Sequence, residues 1–87
     1  MKYQIQITDK ILKKLEKLSK QNKNKIAEAI NCLIEDPRPS GCKKLKGDID
    51  NIKYRIRVGD YRVIYSIKDD ILIICIIEVG HRKDVYR

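Results

Sequence analysis

The chain has 87 residues, which is the size of one domain with a single modest hydrophobic core. Its formal net charge is +8, and this excess favours an acidic partner: nucleic acid, an anionic membrane surface or an acidic protein. Membrane insertion is not expected, because the longest apolar run, residues 71–77, is far shorter than the roughly 20 residues that span a bilayer.

The cysteines and the single histidine argue against two further kinds of site. Cys32, Cys42 and Cys75 are odd in number, widely spaced and without a C-x-x-C motif. This pattern predicts neither a disulfide framework nor a zinc site, so no metal or cofactor is expected. The N-terminus carries no secretory hydrophobic segment, and we therefore expect a reducing, cytoplasmic setting.

The N-terminal half is predicted to form one strand and two helices. Residues 2–8 alternate polar and apolar side chains, as in a half-buried strand. Thr8 or Asp9 is expected to cap the first helix, and Asn22 or Asn24 the second, after a polar break at residues 19–24. Each helix has one apolar stripe, formed by Ile11, Leu12, Leu15 and Leu18 in the first and by Ile26, Ala27, Ile30, Leu33 and Ile34 in the second. The short loop between them favours an antiparallel αα-hairpin.

A β-hairpin is predicted at residues 53–65, which read K-Y-R-I-R-V-G-D-Y-R-V-I-Y. Two prolines end the second helix, and a connector over residues 42–52 leads to this hairpin. Gly59 stands at the first of two loop positions, which suits a type II′ turn. A two-residue loop places Arg57 directly opposite Arg62.

The two faces of this hairpin differ in charge. One face is apolar and comprises Tyr54, Ile56, Val58, Tyr61, Val63 and Tyr65; the other is basic and comprises Lys53, Arg55, Arg57 and Arg62. Like charges directly opposite each other destabilise a sheet, so the Arg57–Arg62 pair is either tolerated or used to hold an anion. We interpret it as an anion site, because the planar guanidinium recognises phosphate or carboxylate.

A third strand is predicted over residues 71–79, after a two-residue turn at Asp69-Asp70. This turn pairs Ile67 with Leu72, Tyr65 with Ile74, Val63 with Ile76 and Tyr61 with Glu78. The predicted fold class is α+β in a single domain over residues 1–87. An N-terminal strand and an αα-hairpin precede three antiparallel strands that form one sheet, with the helices packed on one face.

The predicted register brings the end of the chain to the hairpin turn. The third strand ends beside that turn, so His81 and Arg82 are expected near Arg57 and Arg62. Tyr86 lies within reach of the same place if the tail folds back. These residues form the candidate site.

Three segments of the sequence resemble a known family. L-K-G at residues 45–47, Y-R-I-R-V-G-D-Y-R-V-I-Y at 54–65 and V-G-H-R-K-D-V-Y-R at 79–87 resemble the RelE/ParE toxin superfamily. They are most similar to its RelE branch, the ribosome-dependent mRNA endonucleases of type II toxin–antitoxin systems. The resemblance implies a toxin that enters the ribosomal A site, where the 2′-hydroxyl of the mRNA attacks the adjacent phosphate without metal. It also implies a RelB-like antitoxin as partner.

The resemblance also assigns roles to residues. The implied catalytic residues are Arg57, Arg62, Arg82, His81 and Tyr86, and the implied RNA-binding residues are Lys53, Arg55, Lys43, Lys44 and Lys46. Well-known members have lysines where this chain has Arg55 and Arg57, and an arginine does not readily act as a general base at neutral pH. His81 is the first choice for proton transfer, because the histidine reference pKa is about 6.5. Lys53, Lys46 or the ribosome are the alternatives.

Plainer interpretations remain open beside these assignments. The arginines could form a solvated basic face or salt bridges to Asp48, Asp50 or Glu78, while His81 and Tyr86 could be structural. Two other functions are also open: a ParE-like, non-nuclease inhibitor of DNA gyrase, and a nucleic-acid-binding module without catalysis. Retention of the arginines together with Tyr86 argues against the gyrase inhibitor.

Overall fold

The computed structural model describes residues 2–45 and 52–81, which form two helices and one five-stranded sheet. The elements in chain order are β1 (Gln4–Ile7), α1 (Asp9–Glu16), α2 (Lys20–Leu33), β2 (Lys43–Leu45), β3 (Lys53–Val58), β4 (Tyr61–Lys68) and β5 (Ile73–His81). The strand order is β1-β5-β4-β3-β2, with β1 parallel to β5 and all other neighbours antiparallel. The predicted α+β class is confirmed, and β2 is an additional strand within the predicted connector.

Each helix begins at a hydroxyl side chain. The Thr8 Oγ1 accepts a hydrogen bond from the Ile11 N–H at 3.3 Å and caps α1, as predicted. The Ser19 Oγ accepts from the Asn22 N–H at 3.3 Å and caps α2. The prediction of a polar break followed by an Asn22 or Asn24 cap is therefore wrong. Serine is as good a cap as asparagine, and its earlier position lengthens the helix.

The core lies between the two helices and one face of the sheet. Its buried apolar residues are Ile11, Leu15, Ile26, Ile30, Leu33, Ile56, Val63, Tyr65, Ile74, Ile76 and Val79. Leu12 and Ala27, which belong to the predicted stripes, are exposed instead. The fully buried Tyr65 donates its hydroxyl hydrogen to the Pro37 carbonyl at 2.8 Å, and burial raises the pKa of this hydroxyl. This hydrogen bond connects the central strand, β4, to the segment that follows α2.

The β3–β4 hairpin has the predicted register. Val58 pairs with Tyr61, and Arg57 pairs with Arg62. Gly59 has a φ of +61°, whereas Asp60 is not among the residues with positive φ. A positive φ at the first loop position alone is the pattern of a type II′ turn, so the glycine sets the register as expected.

The predicted register between β4 and β5 is wrong. Tyr65 pairs with Ile76, Tyr61 pairs with His81, and the register shifts between Ile64 and Tyr65. Residues 69–72 lie between the strands, so the turn is longer than the predicted two residues. Val63 and Ile67 accordingly pair with Val79 and Ile74.

Tertiary contacts explain the longer turn. Leu72 adopts a φ of +55°, and its carbonyl accepts from the Gln4 N–H of β1 at 2.8 Å. The Asp69 carboxylate accepts from Arg38 at 2.8 Å and from the Tyr3 hydroxyl at 2.6 Å. Arg38 also lies 5.3 Å from the centre of the Tyr54 ring. We refer to Tyr3, Arg38, Tyr54 and Asp69 as the Arg38 cluster.

Candidate nucleic-acid interface

One face of the sheet carries a group of basic side chains. Lys53, Arg55 and Arg57 alternate along β3 and therefore share a face. Residues directly opposite each other on neighbouring strands also share a face. Lys43 is opposite Arg55, and Arg62 is opposite Arg57, so both join this group. We refer to Lys43, Lys53, Arg55, Arg57 and Arg62 as the basic face; it lies opposite the helices.

The arginines of the basic face differ in exposure. Arg57 is exposed, whereas Arg55 and Arg62 are each only 6% exposed. The Arg62 Nη1 donates to the Tyr61 carbonyl at 3.5 Å, at the end of the sheet beside the hairpin turn. In this conformation an anion arriving from solvent therefore meets Arg57 and the two lysines first.

His81 lies on the other face of the sheet. It is opposite Tyr61, whose side chain belongs to the helix side, and the two rings meet edge to face with centroids 5.6 Å apart. Gly80, rather than His81, is opposite Arg62. The structure thus brings His81 to the expected end of the sheet but does not place its side chain among the arginines. The register shift between Ile64 and Tyr65 is the physical reason, because one extra residue in β5 reverses the face on which the following side chains lie.

The remaining predicted residues divide into two groups. Lys44 is opposite Tyr54, so it points to the helix side and is not part of the basic face. Lys46, Arg82 and Tyr86 lie outside the described residues, as do the carboxylates of Asp48 and Asp50.

Glu78 does not serve as an ion-pair partner for the basic face. Its Oε1 is 2.6 Å from the Lys14 Nζ of α1. Burial acts to raise the pKa of Glu78, but the hydrogen bond from Lys14 and its positive charge outweigh burial and lower it. The Glu78 carboxylate thus forms its ion pair with a lysine of α1.

Two cavities adjoin the candidate site, and the sequence did not indicate either. The first, of about 380 Å³, lies on the helix side and includes Lys14, Tyr61 and His81 in its lining. The second, of about 310 Å³, lies at the outer edge of β3. We refer to the second as the edge cavity; its lining residues are Ala29, Cys32, Pro39, Ser40, Gly41, Ile56 and Arg57. The Pro-Ser-Gly sequence marks a turn, but no sequence pattern indicated that this turn would lie beside Arg57.

Neither a metal site nor a membrane span is found in the described parts of the chain. Within residues 2–45 and 52–81, no group of three or more His, Cys, Asp or Glu side chains is arranged to hold a metal ion. Neither α1 nor α2 is long and apolar enough to cross a membrane.

Comparisons with known proteins agree on one family. The sequence model described as "ParE toxin of type II toxin-antitoxin system, parDE" matches residues 5–86. The "Putative toxin RelE1" of Methanocaldococcus jannaschii is 36% identical, over 100% of this chain and 98% of its own length. The "mRNA interferase toxin RelE" of Escherichia coli K12 is 28% identical, over 95% of this chain and 86% of its own length.

The fold leads to the same family. A chain in the crystal structure of the archaeal RelE-RelB complex from Pyrococcus horikoshii OT3 superposes with a TM-score of 0.85 and 33% identity. The alignment covers 97% of this chain and 99% of that one, so the likeness extends over the whole domain. The chain therefore belongs to the RelE/ParE toxin superfamily and is a RelE-like toxin of a type II toxin–antitoxin system.

Proposed function

We propose that this toxin is an endoribonuclease that cleaves mRNA in the ribosomal A site and thereby inhibits translation in the cytoplasm. The observation that carries the proposal is the basic face, on which Arg57 is exposed and stands opposite Arg62. The name of the Escherichia coli relative, an mRNA interferase, supports the same activity.

The proposed reaction needs positive charge at the scissile phosphate. The 2′-oxygen attacks the adjacent phosphorus, the bond to the 5′-oxygen breaks, and a 2′,3′-cyclic phosphate is formed. Negative charge on the phosphoryl oxygens grows during this step, and fixed guanidinium groups stabilise it. In the proposal Arg57, Arg62 and Arg82 supply that charge, no metal takes part, and Tyr86 stacks on a base.

Two proton transfers complete the reaction. A base takes the proton of the 2′-hydroxyl, and an acid gives one to the departing 5′-oxygen. Arginine is a poor candidate for the base, because it keeps its proton at neutral pH. His81 was the first choice from the sequence, but its ring packs against Tyr61 on the helix side. Lys53 belongs to the basic face, and we propose it as the competing candidate.

The proposed RNA contacts extend along the same strands. Lys43, Lys53 and Arg55 continue the basic face away from the hairpin turn. Contacts between these cations and phosphates release counterions, so they contribute affinity whatever the RNA sequence. In the proposal, Lys44 on the helix side also contacts RNA, as does Lys46, which lies outside the described residues.

We propose a RelB-like antitoxin as the partner that keeps the toxin silent. The Pyrococcus horikoshii relative was solved as a RelE-RelB complex. A protein of net charge +8 favours an acidic binding segment, which would compete with RNA for the same cations.

The alternative function is inhibition of DNA gyrase, which the ParE description of the matching family favours. Translation in vitro, followed by primer extension on the mRNA, tests the proposal; a DNA supercoiling assay tests the alternative. We expect new 5′ ends within codons and unchanged supercoiling. Blocked supercoiling with intact mRNA would establish the alternative. If the protein neither cleaves mRNA nor blocks supercoiling, the remaining function is a binding module without catalysis.

A further inference from the structure

We infer that the edge cavity binds a nucleobase of the RNA whose phosphates lie on the basic face. The inference deepens the proposed function and rests on it for the identity of the ligand. The base would be held beside the scissile phosphate. It would be bound by the backbone of β3 rather than by the charged side chains of that strand.

Hairpin geometry determines the direction in which the backbone N–H and C=O of Arg57 point. Residues that flank a two-residue hairpin loop exchange their backbone hydrogen bonds with each other, and such pairs alternate along the strands. Val58 flanks the loop, so the backbones of Val58 and Ile56 bond to β4. The N–H and C=O of Arg57 therefore point away from β4, toward the outer edge of β3.

The pairing of β2 leaves this edge uncovered. Among the described residues, β2 pairs with β3 only as far as Lys43 opposite Arg55. The chain before β2 turns away, because the Cys42 N–H donates to the Pro39 carbonyl at 3.0 Å and Gly41 takes a φ of +91°. A positive φ at the third position marks a type II turn, for which glycine is suited. The turn separates residues 39–41 from Arg57 and opens the edge cavity.

The cavity provides what a base requires. The lining includes the methyl, thiol and ring groups of Ala29, Cys32 and Pro39, which offer weakly polar surface to a planar ring. The outward N–H and C=O of Arg57 form a donor–acceptor pair at one end. Every nucleobase has a donor beside an acceptor on its edge, so such a pair can hydrogen-bond to it.

The position of the cavity favours RNA over other occupants. Arg57 is one of the residues that line the cavity, and it is also the exposed arginine of the basic face. The same residue would therefore hold a phosphate at its guanidinium and a base beside its backbone. Through Arg57 the cavity adjoins the basic face, where an RNA backbone finds charge complementarity.

Nuclear magnetic resonance titration of the full-length, isotope-labelled toxin tests the inference without requiring cleavage. The ligands are the four nucleoside 5′-monophosphates at millimolar concentrations, and ribose 5-phosphate serves as the control without a base. We expect the Arg57 and Gly41 amide signals to shift much further with at least one nucleotide than with ribose 5-phosphate, whose phosphate alone can reach the Arg57 guanidinium. Equal shifts with both ligands, or no shift at Arg57 with any nucleotide, would overturn the inference.

A filled cavity provides the matched variant. Cys32 is exposed and lines the cavity, so Cys32→Phe should occupy it without disturbing the core. Asn24→Phe adds the same ring at another exposed position of α2 and is the control. We expect Cys32→Phe to weaken nucleotide binding by about tenfold, as for loss of a stacked base, and Asn24→Phe to leave it unchanged. Equal affinity of both variants contradicts the inference, as does a Cys32→Phe effect confined to antitoxin binding.

Discussion

Arg57 and Arg62 stand directly opposite each other on β3 and β4, yet the first is exposed and the second is only 6% exposed. The pair therefore does not consist of two equal cations facing solvent. Arg57 is placed to receive an anion, whereas the Arg62 side chain, including its Nε, is buried in the packed structure. Substitutions at the two positions should separate these roles.

Arg57→Ala should lower single-turnover cleavage by about 10²–10³-fold, because it removes a charge that stabilises the transition state. The melting temperature should change little, since the side chain is exposed. A cleavage assay on programmed ribosomes and a thermal melt check both expectations. Unchanged cleavage would remove Arg57 from the proposed site.

Arg62→Ala should abolish cleavage and also lower the melting temperature, because the buried aliphatic stem is lost. Relief of repulsion from Arg57 acts in the opposite direction but amounts to only a few tenths of a kcal/mol. Arg62→Met is the matched control: it keeps an apolar stem without the charge, so we expect it to regain stability but not activity. Arg62→Met with wild-type cleavage would show that the charge has no role.

Binding of the toxin to ribosomes should weaken steeply as salt concentration rises, because each cation that contacts an RNA phosphate releases a counterion. Lys43 and Lys53 are exposed on the basic face, and the Lys43→Gln, Lys53→Gln double variant should reduce the slope of log affinity against log salt by about 1–2. The control is Lys20→Gln, Lys25→Gln on exposed positions of α2. An affinity that does not depend on salt would contradict the basic-face model.

The sequence was informative where local chemistry decides the structure. Gly59 in a two-residue loop set the hairpin register, and this register correctly placed Arg57 opposite Arg62. The turn before β5 was mispredicted because its length depends on residues far away in the chain, namely Gln4 and Arg38. No local pattern reports such contacts. The longer turn shifts the pairing by two residues and keeps the faces unchanged, whereas the register shift between Ile64 and Tyr65 adds one residue to β5 and moves His81 to the helix side.

Exposure could not be predicted from the alternation of side chains. The alternation of side chains along β3 predicts the same exposure for Arg55 and Arg57, yet of these two only Arg57 is exposed. The edge cavity was missed for a related reason, since it arises where Gly41 directs one segment away from a distant strand. Packing between elements decides both features.

The Arg38 cluster should make stability depend on pH. Hydrogen bonds from Arg38 and then Tyr3 lower the pKa of Asp69 below its unfolded value. This contribution is therefore present above the unfolded pKa of about 3.9 and is lost as the pH falls through the lower, folded value. Asp69→Asn should melt only slightly lower than wild type at pH 7, because the Arg38–Asp69 pair is exposed to solvent, and the difference should shrink in acid. Asp70→Asn, at the exposed neighbouring position, is the control, and an equal loss in both variants would contradict the role of the cluster.

The proton acceptor is decided by comparing His81→Ala with Lys53→Ala. General acid–base groups contribute about 10²–10⁴-fold, and loss of the true group should lower single-turnover cleavage by that amount even when the ribosomes are saturated with toxin. We expect the larger loss in Lys53→Ala, because Lys53 belongs to the basic face, whereas His81 packs against Tyr61 on the helix side. His81→Ala should lower cleavage by less than about tenfold, as a residue that only packs beside the site.

The pH profile provides the control for this comparison. If His81 were the base, the pH dependence of wild-type cleavage would contain a step that His81→Ala abolishes. We expect the step, where present, to survive in His81→Ala. Its disappearance, together with a loss of 10²-fold or more, would require the imidazole to leave Tyr61 and reach the basic face during the reaction.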